Sequence, residues 1–97
     1  MQRSRILDIL RSLQEDLHAR FGVKSLSLYG SAARDQATEA SDIDLLVEFD
    51  RPTGLFGLIE LQEHLEKLLG RKVDLGTPGS LKPRIRDRVL AEAIHVN

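Results

Sequence analysis

Two aspartates, Asp42 and Asp44, stand two positions apart at the start of the apolar run Ile43 to Phe49. On an extended strand that spacing sends both carboxylates out of one face, roughly 6.6 Å apart along the backbone. Anions held side by side repel each other, and chains keep such pairs chiefly where a cation gathers them. Oxygen-only ligands that leave room for substrate phosphates favour Mg²⁺. Taken alone the pair is a weak signal. Ser41-Asp42 is also ordinary turn chemistry before a strand, and an exposed Asp44 would explain the pattern equally.

The segment upstream strengthens it. Leu26, Leu28 and Tyr29 make a short strand pattern that breaks at Gly30, and Ser31-Ala32-Ala33-Arg34 can open a helix. A strand-to-helix turn leaves free backbone N–H groups and the positive end of a helix dipole pointing at one spot, which suits a phosphate. A phosphate turn followed by paired carboxylates is the combination that nucleotide chemistry requires.

Gly30-Ser31, a short helix and then Asp42-Ile43-Asp44 on the next strand resemble the signature of the DNA polymerase β-type nucleotidyltransferase superfamily. The likeness is greatest to the minimal nucleotidyltransferase (MNT) antitoxins. Their Gly-Ser-x-Ala-Arg-Gly is met at Gly30, Ser31, Ala33 and Arg34, and their Ser-Asp-Ile-Asp-Leu at Ser41 to Leu45. Asp35 stands where that family usually has glycine. The resemblance implies an α/β (α+β) nucleotidyltransferase fold, with a small mixed sheet of three or four strands flanked by about four helices.

It also implies a third carboxylate on the strand beside the paired aspartates. Asp74, in Val73-Asp74-Leu75, resembles that position; its other reading is an edge-strand Asp paired with Lys72 or Arg71. In the family's chemistry AMP passes from ATP to a hydroxyl by in-line attack on the α-phosphorus. Two divalent ions roughly 4 Å apart can hold the attacking oxygen and the departing pyrophosphate. The expected roles follow. Asp42, Asp44 and Asp74 would be catalytic and would ligate two Mg²⁺ ions, with Asp74 able to assist deprotonation of the acceptor. Gly30, Ser31 and Arg34 would bind the nucleotide. Arg34 has an alternative, a helix-surface ion pair with Asp35 or Glu39. Asp35 itself should weaken nucleotide binding unless Arg34 or a metal offsets its charge.

The elements that position these residues read in order. Ile6, Leu7, Ile9, Leu10, Leu13 and Leu17 recur at helical spacing between Ser4 and Arg20, and Gly22 supplies a stop. His18 near the end of this helix reads as a surface or cap residue. Val23 to Gly30 is a strand, in which Tyr29 either stacks on a base or packs in the core. With four aromatics in the chain, packing is favoured. Ile43 to Phe49 is nearly all apolar, so a central strand covered on both faces is expected. Asp50 to Gly54 is a turn. Leu55, Leu58, Ile59, Leu61, Leu65, Leu68 and Leu69 form a helical stripe ended by Gly70, with Glu60, Glu63, His64 and Glu66 as its solvated face. Arg71 to Gly76 is a third strand, Thr77 to Ser80 a loop with Ser80 a candidate cap, and about Leu81 to Ala93 a last helix. Its Lys82, Arg84, Arg86 and Arg88, two apart, spread around the helix.

Ninety-seven residues with 41% hydrophobic content make one small domain, residues 1–97. A formal net charge of −1 gives no global basic field for nonspecific nucleic-acid binding, so direct nucleic-acid contact is not expected. Without cysteine, disulfides and thiolate chemistry are excluded. No run approaches membrane-spanning length, so the chain reads as a soluble cytoplasmic protein. The Gly-x-x-x-x-Gly-Lys-Ser/Thr loop of P-loop enzymes is also absent.

Larger members of the superfamily add a domain that grips the acceptor, and a chain of this size has no room for one. The acceptor then comes from outside. The MNT resemblance points to a HEPN-domain toxin as partner and substrate, joined with this chain in a hetero-oligomer and silenced by adenylylation of a tyrosine, in a type VII-like toxin–antitoxin pair. Two other readings stand beside this one. A catalytically degenerate fold could neutralise the toxin by binding alone, and nucleotidylation of an antibiotic or other small molecule would need the missing acceptor domain.

Overall fold

The computed structural model describes residues 1–96. Its centre is a four-stranded mixed sheet in the order β3-β2-β1-β4, with β1 at Val23–Tyr29, β2 at Ile43–Phe49, β3 at Val73–Gly76 and β4 at Ile94–His95. β1 pairs antiparallel with β2 and β4, and β2 pairs parallel with β3. The parallel pair demands a crossover, supplied by the helix at Leu55–Leu69.

Alternate residues of each strand face opposite layers. Leu26 and Leu28 of β1, Ile43, Leu45 and Val47 of β2, and Val73 and Leu75 of β3 join the buried core. Helices α1 (Arg3–Ser12), α2 (Gln14–Phe21) and α4 (Leu55–Leu69) cover it with Ile6, Leu10, Leu17, Leu61 and Leu65, all essentially inaccessible. The opposite face is only partly covered, by α5 (Pro83–Glu92) and the 3₁₀ turn Pro78–Ser80, which close over Leu46 and Ser27 and leave Glu48 exposed. Short α3 (Gly30–Ala33) follows β1 directly.

Several expectations are corrected. The first helix is two helices, because the Ser12 hydroxyl donates to the Ile9 carbonyl at 2.6 Å and the Leu13 N–H turns to Leu10 instead, at 3.1 Å. That break brings the α-helices among the described residues to five, in keeping with the expected fold of about four helices. Gly22 does stop the second one, in the left-handed conformation at φ +72°. The α4 stripe is half exposed: Leu61, Leu65 and Leu69 are buried, whereas Leu55, Ile59 and Leu68 are 68%, 40% and 43% exposed. Its supposedly solvated face is not idle either. Glu66 accepts the Val73 N–H at 3.0 Å and so anchors the start of β3, and His64 stacks on Phe21 with ring centres 5.1 Å apart. Ser80 closes the 3₁₀ turn, exchanging hydrogen bonds with Thr77, while α5 starts at Pro83. β4 lies where the end of the last helix was expected to fade. Among the described residues no helix is long and apolar enough to cross a membrane.

Candidate active site

The register places the acids together. Asp44 pairs with Asp74 across the parallel β2–β3 ladder and with Tyr29 across the antiparallel β1–β2 ladder. Directly paired residues on neighbouring strands point to the same face, about 4.8 Å apart. Tyr29, Asp44 and Asp74 therefore form one row across the open face of the sheet. Asp42 immediately precedes β2, two residues from Asp44. Asp74 is thus not on the far side of the sheet from its two companions.

The electrostatics carry the mark of this crowding. The Asp44 carboxyl is pushed up to about 6, first by partial burial and then by the charges of Asp74 and Asp42; Glu92 adds to the rise and Arg34 opposes it. The Tyr29 hydroxyl is pushed up to about 12, by burial and then by Asp44 and Asp74. Tyr29 is half-buried and outside the hydrophobic core, so the expectation that it packs there does not hold.

Gly30 needs to be glycine on two counts. Its φ is +71°, and a Cβ there would run into the Asp44 carboxylate oxygen. The phosphate turn and the acid row are therefore in van der Waals contact, and Ser31 sits half-buried in the first turn of α3. Arg34 projects from the end of α3, but neither to Asp35 nor to Glu39. It donates to Glu92 at 3.0 Å and to the Gln36 side-chain oxygen at 3.3 Å.

Glu92, on the last turn of α5, was not anticipated. One oxygen accepts the Gly30 N–H at 3.2 Å and the other pairs with Arg34. A lone Glu in a basic helix, 62 residues from Gly30, carries no spacing signal that could reveal this. Asp35 also finds its explanation. It adopts φ +58°, the left-handed region that glycine occupies freely and Asp tolerates, and its carboxylate accepts the Arg3 N–H at 2.9 Å, capping α1. Its charge is tied to that helix, and Asp35 is absent from the groups that act on Asp44.

Among the described residues no three His, Cys, Asp or Glu side chains are drawn together at metal-ligand spacing. The three aspartates still fit a hard divalent cation: their donors are all carboxylate oxygens and, as Asp44 records, mutually repelling. A cleft of about 580 Å³ lies elsewhere, between α2 and the start of β1. It is lined mostly by aliphatic groups around Leu17, His18, Val23 and Leu26, and His18 pairs with Asp50 at its rim at 3.2 Å. Its mostly apolar lining makes it a poor place for nucleotide transfer. Of the basic residues of α5, Arg86 is half-buried and donates to the Leu81 carbonyl at 3.2 Å, whereas Arg84 and Arg88 are exposed.

Comparison with known proteins agrees with this geometry. The nucleotidyltransferase domain family matches residues 4–96. The protein adenylyltransferase MntA of Thermococcus cleftensis is 44% identical over 91 residues, covering 94% of this chain and 92% of that protein. A solved structure assigned to the minimal nucleotidyltransferases superposes with a TM-score of 0.80 at 40% identity, covering 97% and 95% of the two chains. The fold alone is shared, at 19% identity and a TM-score of 0.59, with a structure of the tri-AMPylated HEPN toxin of Shewanella oneidensis in complex with its MNT antitoxin; 90% of this chain and 71% of that one are covered.

Proposed function

The chain belongs to the nucleotidyltransferase domain family, in its minimal, protein-adenylyltransferase branch, and from that membership we propose that it transfers AMP from ATP to a tyrosine hydroxyl of a HEPN-domain toxin, acting as the antitoxin of the pair. The observation that carries the reading is the cross-strand pairing of Asp44 with Asp74, on the face that the Gly30 turn adjoins. The complex of known fold that joins an MNT antitoxin to a tri-AMPylated HEPN toxin supports the choice of partner.

In this reading Gly30 N–H and Ser31 hold the terminal phosphates and Arg34 neutralises the departing pyrophosphate. Asp42, Asp44 and Asp74 ligate Mg²⁺, two ions, which would screen the triphosphate and the attacking oxygen. The acceptor oxygen forms its bond to the α-phosphorus as the bond to pyrophosphate breaks. A tyrosine hydroxyl has a reference pKa of about 10, and Asp74, the exposed end of the acid row, is placed to take its proton. The domain acts in the cytoplasm, as a hetero-oligomer with the toxin that supplies the acceptor.

The test is to mix the purified protein with a HEPN-domain partner, ATP and Mg²⁺, and to weigh the partner. A gain of one or more adenylyl masses, lost in Asp42→Asn and Asp44→Asn, is expected. A partner left unmodified yet silenced equally by the wild type and both variants would assign the protein to neutralisation by binding alone.

A further inference from the structure

Glu92 engages, with one carboxylate, two of the groups assigned above to the triphosphate. Its Oε1 accepts the Gly30 N–H at 3.2 Å, and its Oε2 accepts from Arg34 Nη1 at 3.0 Å. An anion with two outward oxygens, bridging a backbone N–H and a guanidinium, is arranged as a phosphate would be. Its negative charge also acts on Asp44.

We propose that Glu92 is a displaceable internal substitute for a phosphate, a positioning residue that holds Arg34 and the Gly30 turn in place and yields them to the incoming nucleotide. The proposal rests on the nucleotide reading of Gly30 and Arg34. Displacement is feasible because the pair is open to solvent: the Arg34 side chain is 50% exposed and that of Glu92 27%. Such exposed pairs are weak, and a polyphosphate, with more charge and more acceptors, offers the same donors more.

Two effects oppose each other. Pre-positioning Arg34 lowers the ordering cost of binding, whereas a carboxylate that stays close repels every phosphate that arrives. Like charges held close at a protein surface are only partly screened, whereas ordering a single side chain carries a small entropic cost. Repulsion is the larger effect, so Glu92 sets an upper limit on nucleotide affinity and speeds release of the charged product.

Calorimetric titration of wild type and Glu92→Gln with inorganic triphosphate and with ATP, each with Mg²⁺, tests this. The variant is expected to bind both about 3–10-fold tighter. Unchanged or weaker triphosphate binding overturns the proposal, since a residue that merely ties α5 to α3 would behave that way. A wild type that binds ATP, with no gain in the variant, removes the role of Glu92 and leaves adenylyl transfer standing. A gain for triphosphate without ATP binding or AMP transfer does the reverse, and binding of neither ligand by either protein sinks both. A second readout needs no variant: in wild-type protein labelled with ¹³C at glutamate carboxylates, the Glu92 signal should move together with the Gly30 amide as triphosphate is added. A stationary Glu92 signal while Gly30 moves overturns the proposal.

Discussion

Leu45 and Asp44 are neighbours in β2 and meet opposite worlds. Leu45 is inaccessible, in one cluster with Ile6, Leu10, Leu17, Leu61 and Leu65, while Asp44 stands half-buried among Asp42, Asp74, Tyr29 and Glu92. The same three strands supply both faces, so the difference is one of side-chain parity alone. The apolar face holds the fold together, and the acid face gathers like charges that oppose it. A small domain tolerates the second because the first is dry and continuous. Stability and chemistry should therefore separate cleanly under mutation, and each prediction below tries that separation.

The largest effect is expected at the acid face with the fold intact. Asp44→Asn should reduce AMP transfer to a HEPN-domain partner by at least about 100-fold, measured by mass spectrometry, because a transition-state charge interaction is lost. Leu45→Ala, one residue along, should do the opposite. It should cost about 2–5 kcal/mol of stability in urea unfolding, leaving the folded fraction its turnover. Catalysis that collapses equally in both variants would break the comparison.

A smaller loss is expected at the junction of the two layers. Asp35→Ala removes the cap on the Arg3 N–H and leaves a Cβ residue at φ +58°. Loss of about 1–2 kcal/mol should follow, read as a lower urea midpoint. Asp35→Gly loses the cap but relieves the backbone, so it should fall by less than the alanine variant.

The smallest effect has the opposite sign and depends on pH. Asp44 has its carboxyl raised in the fold from 3.8 to about 6, so the folded state binds that proton more tightly than the unfolded chain does. Its contribution to stability is greatest when it is protonated and falls as pH rises from about 4 through 6. Asp44→Asn should therefore raise the Tm at pH 7, by about 4–8 °C if roughly 1 kcal/mol of repulsion survives solvent screening. At pH 4 the gain should largely disappear. A variant less stable than wild type at pH 7 would mean that Asp44 is held by partners rather than crowded by them.

Much of the acid face was legible because its signals are local. Gly30 marks a backbone turn, and Asp42 and Asp44 share a parity that a strand must honour. Asp74 needed the resemblance to nucleotidyltransferases, since one Asp between Val73 and Leu75 can also be read as an edge-strand residue paired with Lys72 or Arg71. The nearly all-apolar run of β2 was read as covered on both faces, and this holds only in part: Leu46 on the acid face is 4% exposed, beneath α5 and the Pro78–Ser80 turn, but Asp44 is half-buried and Glu48 exposed. What escaped depends on tertiary contact. Periodicity says which α4 residues share a stripe but not what covers them, so the exposure of Leu55, Ile59 and Leu68 was invisible. β4 is two residues long and is fixed by pairing with Ser27 and Leu28. Tyr29 and Glu92 gain their meaning only from strand register and from a helix that returns across the sheet.

The central claim is that the row on the open face gathers a divalent cation with the triphosphate. Mn²⁺ added to isotope-labelled protein in the presence of ATP tests it most directly, through paramagnetic broadening of backbone amides. The account predicts broadening centred on Gly30, Asp44 and Asp74, abolished in Asp44→Asn. Broadening centred instead on the His18–Asp50 cleft, or unchanged in that variant, would contradict it.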